Sequence, residues 1–182
     1  LENKTSTTQT VEAKTQIFAA DDFGKAKDKA ITAFPTETIS INANDKQIKE
    51  SKTILKNPKL WGAFPQQKQN LYIARTSIYI AGKQVDEYET PFGIRKIEFN
   101  PTKGLIVNGE KIKIQGVNQH HDLGALGAAF NVRAAQRQLE ILRELGCNAI
   151  RFSHNPPAPE LLDLTDRMGF LVIDEVFDSW ER

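Results

Sequence analysis

The chain has 182 residues, 40% hydrophobic and 26% charged, with a formal net charge of +1. That is the composition of an ordinary globular protein, long enough for one large domain or two modest ones. The near-neutral charge excludes an electrostatic footprint for nucleic acid or an anionic membrane, no stretch reaches the roughly 20 apolar residues of a membrane span, and the lone Cys147 excludes an internal disulfide and a cysteine metal cluster.

The first half is β in character. In "VEAKTQIF", Val11, Ala13, Thr15 and Ile17 alternate with Glu12, Lys14 and Gln16, the period of a sheet with one wet face. "DDFGKAKDK" (residues 21–29) reads as a solvated loop. "ETISINAND" repeats the alternation with Ile39 and Ile41, and "NLYIARTSIYIAGKQVDEYET" reads as a hairpin with Ala81-Gly82-Lys83 at its tip. Short strands broken by Gly, Pro, Asn and Asp predict a small antiparallel sandwich.

Near Asn100 the pattern changes. In "GLIVNGEKIKIQGVN", Asn108-Gly109 separates two apolar runs, a strong hairpin signal because a type I′ turn needs positive φ at both central residues. "VRAAQRQLEILRELG" then predicts a helix with Ala135, Leu139, Leu142 and Leu145 on one face and Gly146 as its stop. "NAIRFS" follows as a strand. "PELLDLTDRMG" is a second helix, with Pro159 at its start, Leu161, Leu164 and Met168 inward, and Gly169 as its stop. "FLVIDEVF" is a further strand. Apolar strands alternating with amphipathic helices indicate parallel βα units. The composition break divides the chain into residues 1–98 and 99–182. The opening on Leu1 and the close on "FDSWER", directly after a strand-like run, lead to the expectation of a piece of a longer protein.

Ligands of parallel α/β folds bind beyond the C-terminal ends of the strands. Those ends carry "NQHHD" (Asn118–Asp122), "SHNPP" (Ser153–Pro157) and Asp174-Glu175. The prolines behind His154 end its strand and hold the imidazole at the rim. Plainer roles stand beside each of these. A histidine at a strand end is often satisfied by backbone, and His121 and Asp122 read equally as loop residues. Adjacent Asp174 and Glu175 face opposite ways, so at most one points into a barrel; the other pairs with an arginine, Arg151 or Arg182. Trp180 reads as a sugar-stacking platform or as core. No short ligand spacing supports a metal site of His120, His154 and a carboxylate, so no metal is assigned.

The stretches "GVNQHHD", "NAIRFSHNPP" and "MGFLVIDE" resemble the start of the catalytic barrel in glycoside hydrolase family two, the family of β-galactosidases, β-glucuronidases and β-mannosidases. "NPKLWG" and "YETPFGIRKIEF" are similar to the family's last sandwich strands, and "HHDLGALGAAF" looks most like the β-galactosidase branch of polysaccharide-degrading bacteria. The resemblance implies an immunoglobulin-like β-sandwich followed by the first βα units of an incomplete (β/α)8 TIM barrel. It further implies a retaining β-glycosidase with an acid/base glutamate after the fourth strand and a nucleophile near the seventh, about 5 Å apart. Both fall beyond residue 182, so the chain holds no catalytic residue and is expected to be inactive alone. His120 and His154 match histidines that line the family's sugar subsite, and Asp174 matches the aspartate closing the third strand. With Asp122 and Trp180 these form the expected substrate-binding set. Gln119 stands where many members have arginine, which leaves the preferred sugar open.

The resemblance implies a β-linked oligosaccharide or a polysaccharide-derived sugar as substrate, and a periplasmic or secreted bacterial enzyme. No nucleic-acid or membrane partner and no cofactor is expected; a homo-oligomer and the metal dependence of the whole enzyme stay open. β-Galactosidase leads, β-glucuronidase is the alternative within the family, and a non-catalytic carbohydrate-binding or spacer module is the alternative outside it.

Overall fold

The structure, a computed structural model, describes residues 1–178, which form two compact units. The first comprises Leu1–Pro58 and Leu71–Phe92. Its strands are β1 (Glu2–Asn3), β2 (Gln9–Ala20), β3 (Ala26–Ala33), β4 (Glu37–Ile41), β5 (Asp45–Lys46), β6 (Leu71–Ile80) and β7 (Lys83–Gly93). β2 organises the sheet. One edge runs antiparallel to β6, from Glu12↔Tyr79 to Ala19↔Tyr72. The other edge is shared, with β4 along Gln9–Ala13 and β3 along Gln16–Ala20. The alternation in β2 buries Val11 with Ile39, Ile41 and Ile78, each such side chain contributing about 1.5–3 kcal/mol. Across the β6–β7 tip, Ala81 and Gly82 both have positive φ, 48° and 78°, the two-residue turn whose twist matches its strands.

One element departs from the sequence expectation. Residues 26–33 are strand β3, although 21–29 reads as loop. The loop is confined to Asp21–Lys25, where the Asp21 carboxylate accepts from the Phe23 and Lys25 amides. Among the described residues β3 pairs only with β2, through a register broken twice, and exposes Lys27, Asp28 and Lys29 in succession. An edge strand carrying consecutive charges shows no period of two, and those charges deter pairing with other chains.

The second unit comprises Lys59–Asn70 and the chain from Gly93 on. Strands β8 (Ile97–Asn100), β9 (Gly104–Val107) and β10 (Glu110–Lys111) form a small antiparallel sheet. Asn108 and Gly109, at φ 54° and 87°, make the expected turn. Residues 59–70 pack within this unit, although they read as sandwich from sequence. Trp61 is 2% exposed, donates from Nε1 to the Asp166 carbonyl at 2.7 Å and lies under the Arg95 guanidinium. Ala63 joins Val107 and Ile112 in a buried cluster.

Strand β11 (Gly116–Gln119), helix α1 (Val132–Glu144), strand β12 (Ala149–Phe152), helix α2 (Pro159–Met168) and strand β13 (Leu171–Asp174) follow. The strands run parallel in the order β11-β12-β13. Asn131 caps α1, its side chain accepting from the Ala134 amide at 3.0 Å. Gly169, at φ 81°, ends α2 in the left-handed conformation glycine adopts without strain. Both helices cover one face of the sheet, where Ala135, Leu139, Leu161 and Leu164 pack on Ile150, Phe152 and Phe170. Leu145, expected inward, is 73% exposed because the helix ends just before it. No helix among the described residues is long and apolar enough to cross a membrane.

Register is pinned by Asn148, which is 2% exposed. Its Oδ1 accepts from the Gln115 amide at 2.9 Å and its Nδ2 donates to the Lys113 carbonyl at 3.0 Å, tying the start of β12 to the approach of β11. Asn148→Ala leaves both backbone groups unpaired and should destabilise this unit by about 1–3 kcal/mol in denaturant unfolding. An unchanged midpoint would mean water replaces both bonds without cost.

Candidate functional site

Pairing fixes which side chains share a face. Asn118 lies beside Arg151 and Arg151 beside Ile173, whereas one residue on Gln119 lies beside Phe152 and Phe152 beside Asp174. Phe152 belongs to the helix-covered core and Gln119 donates to Gln138 of α1 at 2.9 Å. Alternation therefore turns Asn118, Arg151 and Ile173 to the opposite face, along a cleft of about 620 Å³.

At the C-terminal rim of that face, three strand ends converge. Arg151 donates from Nε to Glu175 Oε1 at 2.8 Å, and its Nη1 reaches Asn118 Oδ1 at 3.4 Å and Ser153 Oγ at 3.2 Å. Nη2 also pairs with Glu175 Oε1. Glu175 Oε2 lies 2.8 Å from His154 Nδ1. The His120 and His154 rings meet edge to face, centroids 5.7 Å apart. The Ser153–His154 peptide is cis. The side chains of His154 and Glu175 are 27% and 25% exposed, so the pair is shielded but reachable.

His154, followed by Arg151, holds the Glu175 carboxyl below the usual glutamate range against the opposing effect of desolvation. A lowered folded-state pKa contributes stability above the unfolded glutamate pKa, and that contribution is lost as pH falls through the lowered value. The difference in melting temperature between wild type and Glu175→Gln should therefore shrink on acidification below the ordinary glutamate range. A difference constant with pH would show that the carboxylate charge does not matter.

The structure brings His120 and His154 together, as the sequence pattern anticipates. Asp174 does not join them: its register places it on the helix-facing side, and the inward carboxylate is Glu175. Asp122 accepts from the Gly124 amide at 2.7 Å and its carbonyl accepts from Gln138, so it shapes the loop after β11. With His120, His121, Phe130 and Leu161 it also lines a smaller pocket of about 210 Å³. Trp180 lies outside the described residues. Glu175, Arg151, Asn118 and Ser153 are rim residues that the expected set omits; the alternation of "AIRF" is the signal for Arg151, since apolar Ile150 and Phe152 leave it the other face. Among the described residues no three His, Cys, Asp or Glu side chains converge as metal ligands.

Two family models cover this architecture. "Glycosyl hydrolases family 2" matches residues 1–95, and "Glycosyl hydrolases family 2, TIM barrel domain" matches residues 99–178. The chain belongs to glycosyl hydrolase family 2. Its fold is accordingly the family's sandwich followed by the start of its TIM barrel, without a closed barrel. A solved family 2 member from Bacteroides cellulosilyticus superposes with a TM-score of 0.83 at 33% identity, over 98% of this chain and 23% of that one. Beta-galactosidase BoGH2A of Bacteroides ovatus is 52% identical over 128 residues, 70% of this chain and 15% of the relative. A putative beta-glucuronidase of Formosa agariphila is 39% identical over 128 residues, 70% of this chain and 12% of the relative. The matched region thus spans less than a sixth of the two curated relatives and under a quarter of the solved one.

Proposed function

We propose that this chain belongs to a retaining β-galactosidase, to which it contributes the sandwich, residues 1–98, and the first barrel units, residues 99–182. In this proposal residues 59–70 are a sandwich-encoded segment that folds with the barrel unit. The acid/base and nucleophilic glutamates come from later strands, outside residues 1–182. His120 and His154 hydrogen-bond sugar hydroxyls, Trp180 stacks on the sugar's apolar face, and Asp122 shapes the loop that carries His120. The substrate is a terminal β-linked galactoside of an oligosaccharide or polysaccharide.

The observation that carries this reading is the commitment of Arg151. A uronate would call for a cation, but this guanidinium is already paired with Glu175. A galactoside, with hydroxyls only, needs no such charge. The higher identity to a β-galactosidase, 52% against 39%, supports the same choice.

The whole protein is expected to hydrolyse 4-nitrophenyl β-galactoside in preference to the β-glucuronide, and residues 1–182 alone are expected to hydrolyse neither. Preference for the glucuronide would reverse the specificity. Absence of all glycosidase activity in the whole protein would point to a non-catalytic carbohydrate-binding module.

A further inference from the structure

The pocket of about 210 Å³ is built from the end of β11, the loop that follows it, and the starts of α1 and α2. Its inner surface is apolar, with buried Ala135 and Leu161 beside half-buried Leu123 and the exposed ring of Phe130. A dry apolar cavity of about 150 Å³ already accepts a benzene ring, so this space suits a single six-membered ring.

The chemistry changes toward solvent. His120, His121 and Asp122, all exposed, line the outer part of the pocket. Among the described residues neither imidazole has a hydrogen-bond partner, and the Asp122 carboxylate is bound only through Oδ1, to the Gly124 amide. An imidazole carries at least one N–H whatever its charge, and the second carboxylate oxygen can accept. Donors and an acceptor together match the hydroxyl groups on the edge of a ring.

The loop is fixed from within. Leu123 donates to the Gly127 carbonyl and Gly127 to the Gly124 carbonyl, both at 2.9 Å. Gln138 of α1 holds the Asp122 carbonyl at 3.2 Å. A pocket held in this way loses little freedom when it binds.

We infer that this pocket binds one six-membered ring with an apolar face and a polar edge, the ring joined to the sugar that the His154 rim receives. The inference rests on the glycosidase reading for that sugar. His120 is the shared wall, since it lines the pocket and its ring centroid lies 5.7 Å from that of His154. Phe130 supplies an apolar ring surface, and His121 and Asp122 meet the polar edge. Two sources present this chemistry, the second sugar of an oligosaccharide and an aromatic aglycone.

Kinetics on the whole protein distinguish them. Phe130→Ala removes the pocket's aromatic ring, and Ala128→Leu fills the space from the exposed loop. Each should lower kcat/KM for a ringed substrate, the disaccharide lactose or 4-nitrophenyl β-galactoside, about five- to tenfold. Methyl β-galactoside, which has no second ring, should change by less than about twofold and so reports that the variants fold. A selective loss with lactose alone assigns the pocket to a sugar, and with the aryl substrate alone to an aromatic ring. A loss with both assigns it to either ring. An equal loss with methyl β-galactoside, or no loss with either ringed substrate, would overturn the inference.

Binding supplies an arm that needs no turnover. The fluorine resonance of 4-fluorobenzyl alcohol should broaden with wild type and stay sharp with Ala128→Leu. Equal broadening by both proteins would remove an aromatic ring as the occupant. Broadening that Ala128→Leu abolishes, in a protein that hydrolyses no galactoside, would remove the glycosidase reading and leave the pocket in place. Galactosidase activity with neither a selective loss nor broadening would remove the pocket and leave that reading intact.

Discussion

Phe152→Ala should collapse the helix-covered layer of the second unit. Phe152 is 1% exposed, at the end of β12, and packs among Leu139, Leu161 and Leu164, which belong to both helices. Truncating such a ring removes the transfer energy of its apolar atoms and leaves a cavity that two helices on a parallel sheet cannot close, at a cost of about 3–5 kcal/mol. Domain stabilities lie at about 5–15 kcal/mol, so this single change consumes a large share. Hydrogen exchange would localise the effect: protection should fall across β12 and both helices. Leu145→Ala is the control, because a side chain 73% exposed has little to lose. Equal destabilisation by the two variants would mean that the assigned core is wrong.

His154→Ala should carry the largest effect on activity. In the whole protein kcat/KM for an aryl β-galactoside should fall roughly ten- to a hundredfold, the equivalent of about 1–3 kcal/mol for a lost buried hydrogen bond to a sugar hydroxyl. The same change leaves the ionised Glu175 with Arg151 alone. Asp174→Asn is the informative comparison. Since Asp174 is exposed and lies on the helix-facing side, its loss should alter kcat/KM by less than about threefold, in line with an ordinary surface substitution. Asp122→Asn should fall between them, through the loop it shapes. Unchanged kcat/KM in His154→Ala with a lowered melting temperature would make His154 a structural residue. A large effect of Asp174→Asn would mean that the register assigned to β13 does not hold in the working enzyme.

The contrast between these two carboxylates shows what could be read from the residues alone. β2, β4, the two hairpin turns and both helices were legible because each carries its own period or stop: Val11 to Ile17 alternates, Asn108-Gly109 punctuates, and Gly146 and Gly169 terminate. Strand β3 was not, because an edge strand facing water on several successive residues has no period to show. The second unit's claim on residues 59–70 was hidden for another reason. Trp61, Ala63 and Phe64 look like any apolar strand residues, and their partners, the Asp166 carbonyl, Val107 and the Arg143 side chain, lie far away in sequence.

At the site, His120 and His154 were legible as rim residues because each follows an apolar run and precedes a break. The inward carboxylate was not. "FLVI" is apolar on both faces, so it gives no parity, and Asp174 and Glu175 could only be separated by the pairing of Phe152 with Asp174. Arg151 was recoverable from "AIRF", where the flanking residues point to the core; its bond to Glu175 needed the third strand in place.

The most direct test is a crystal structure of the whole protein with a slowly hydrolysed galactoside bound. A sugar hydroxyl oxygen is expected about 2.7–3.2 Å from His154 Nε2, with Glu175 still bound to Nδ1 and Arg151. A sugar held elsewhere, with His154 touching only Glu175 and Arg151, would contradict the assignment of this rim as the substrate site.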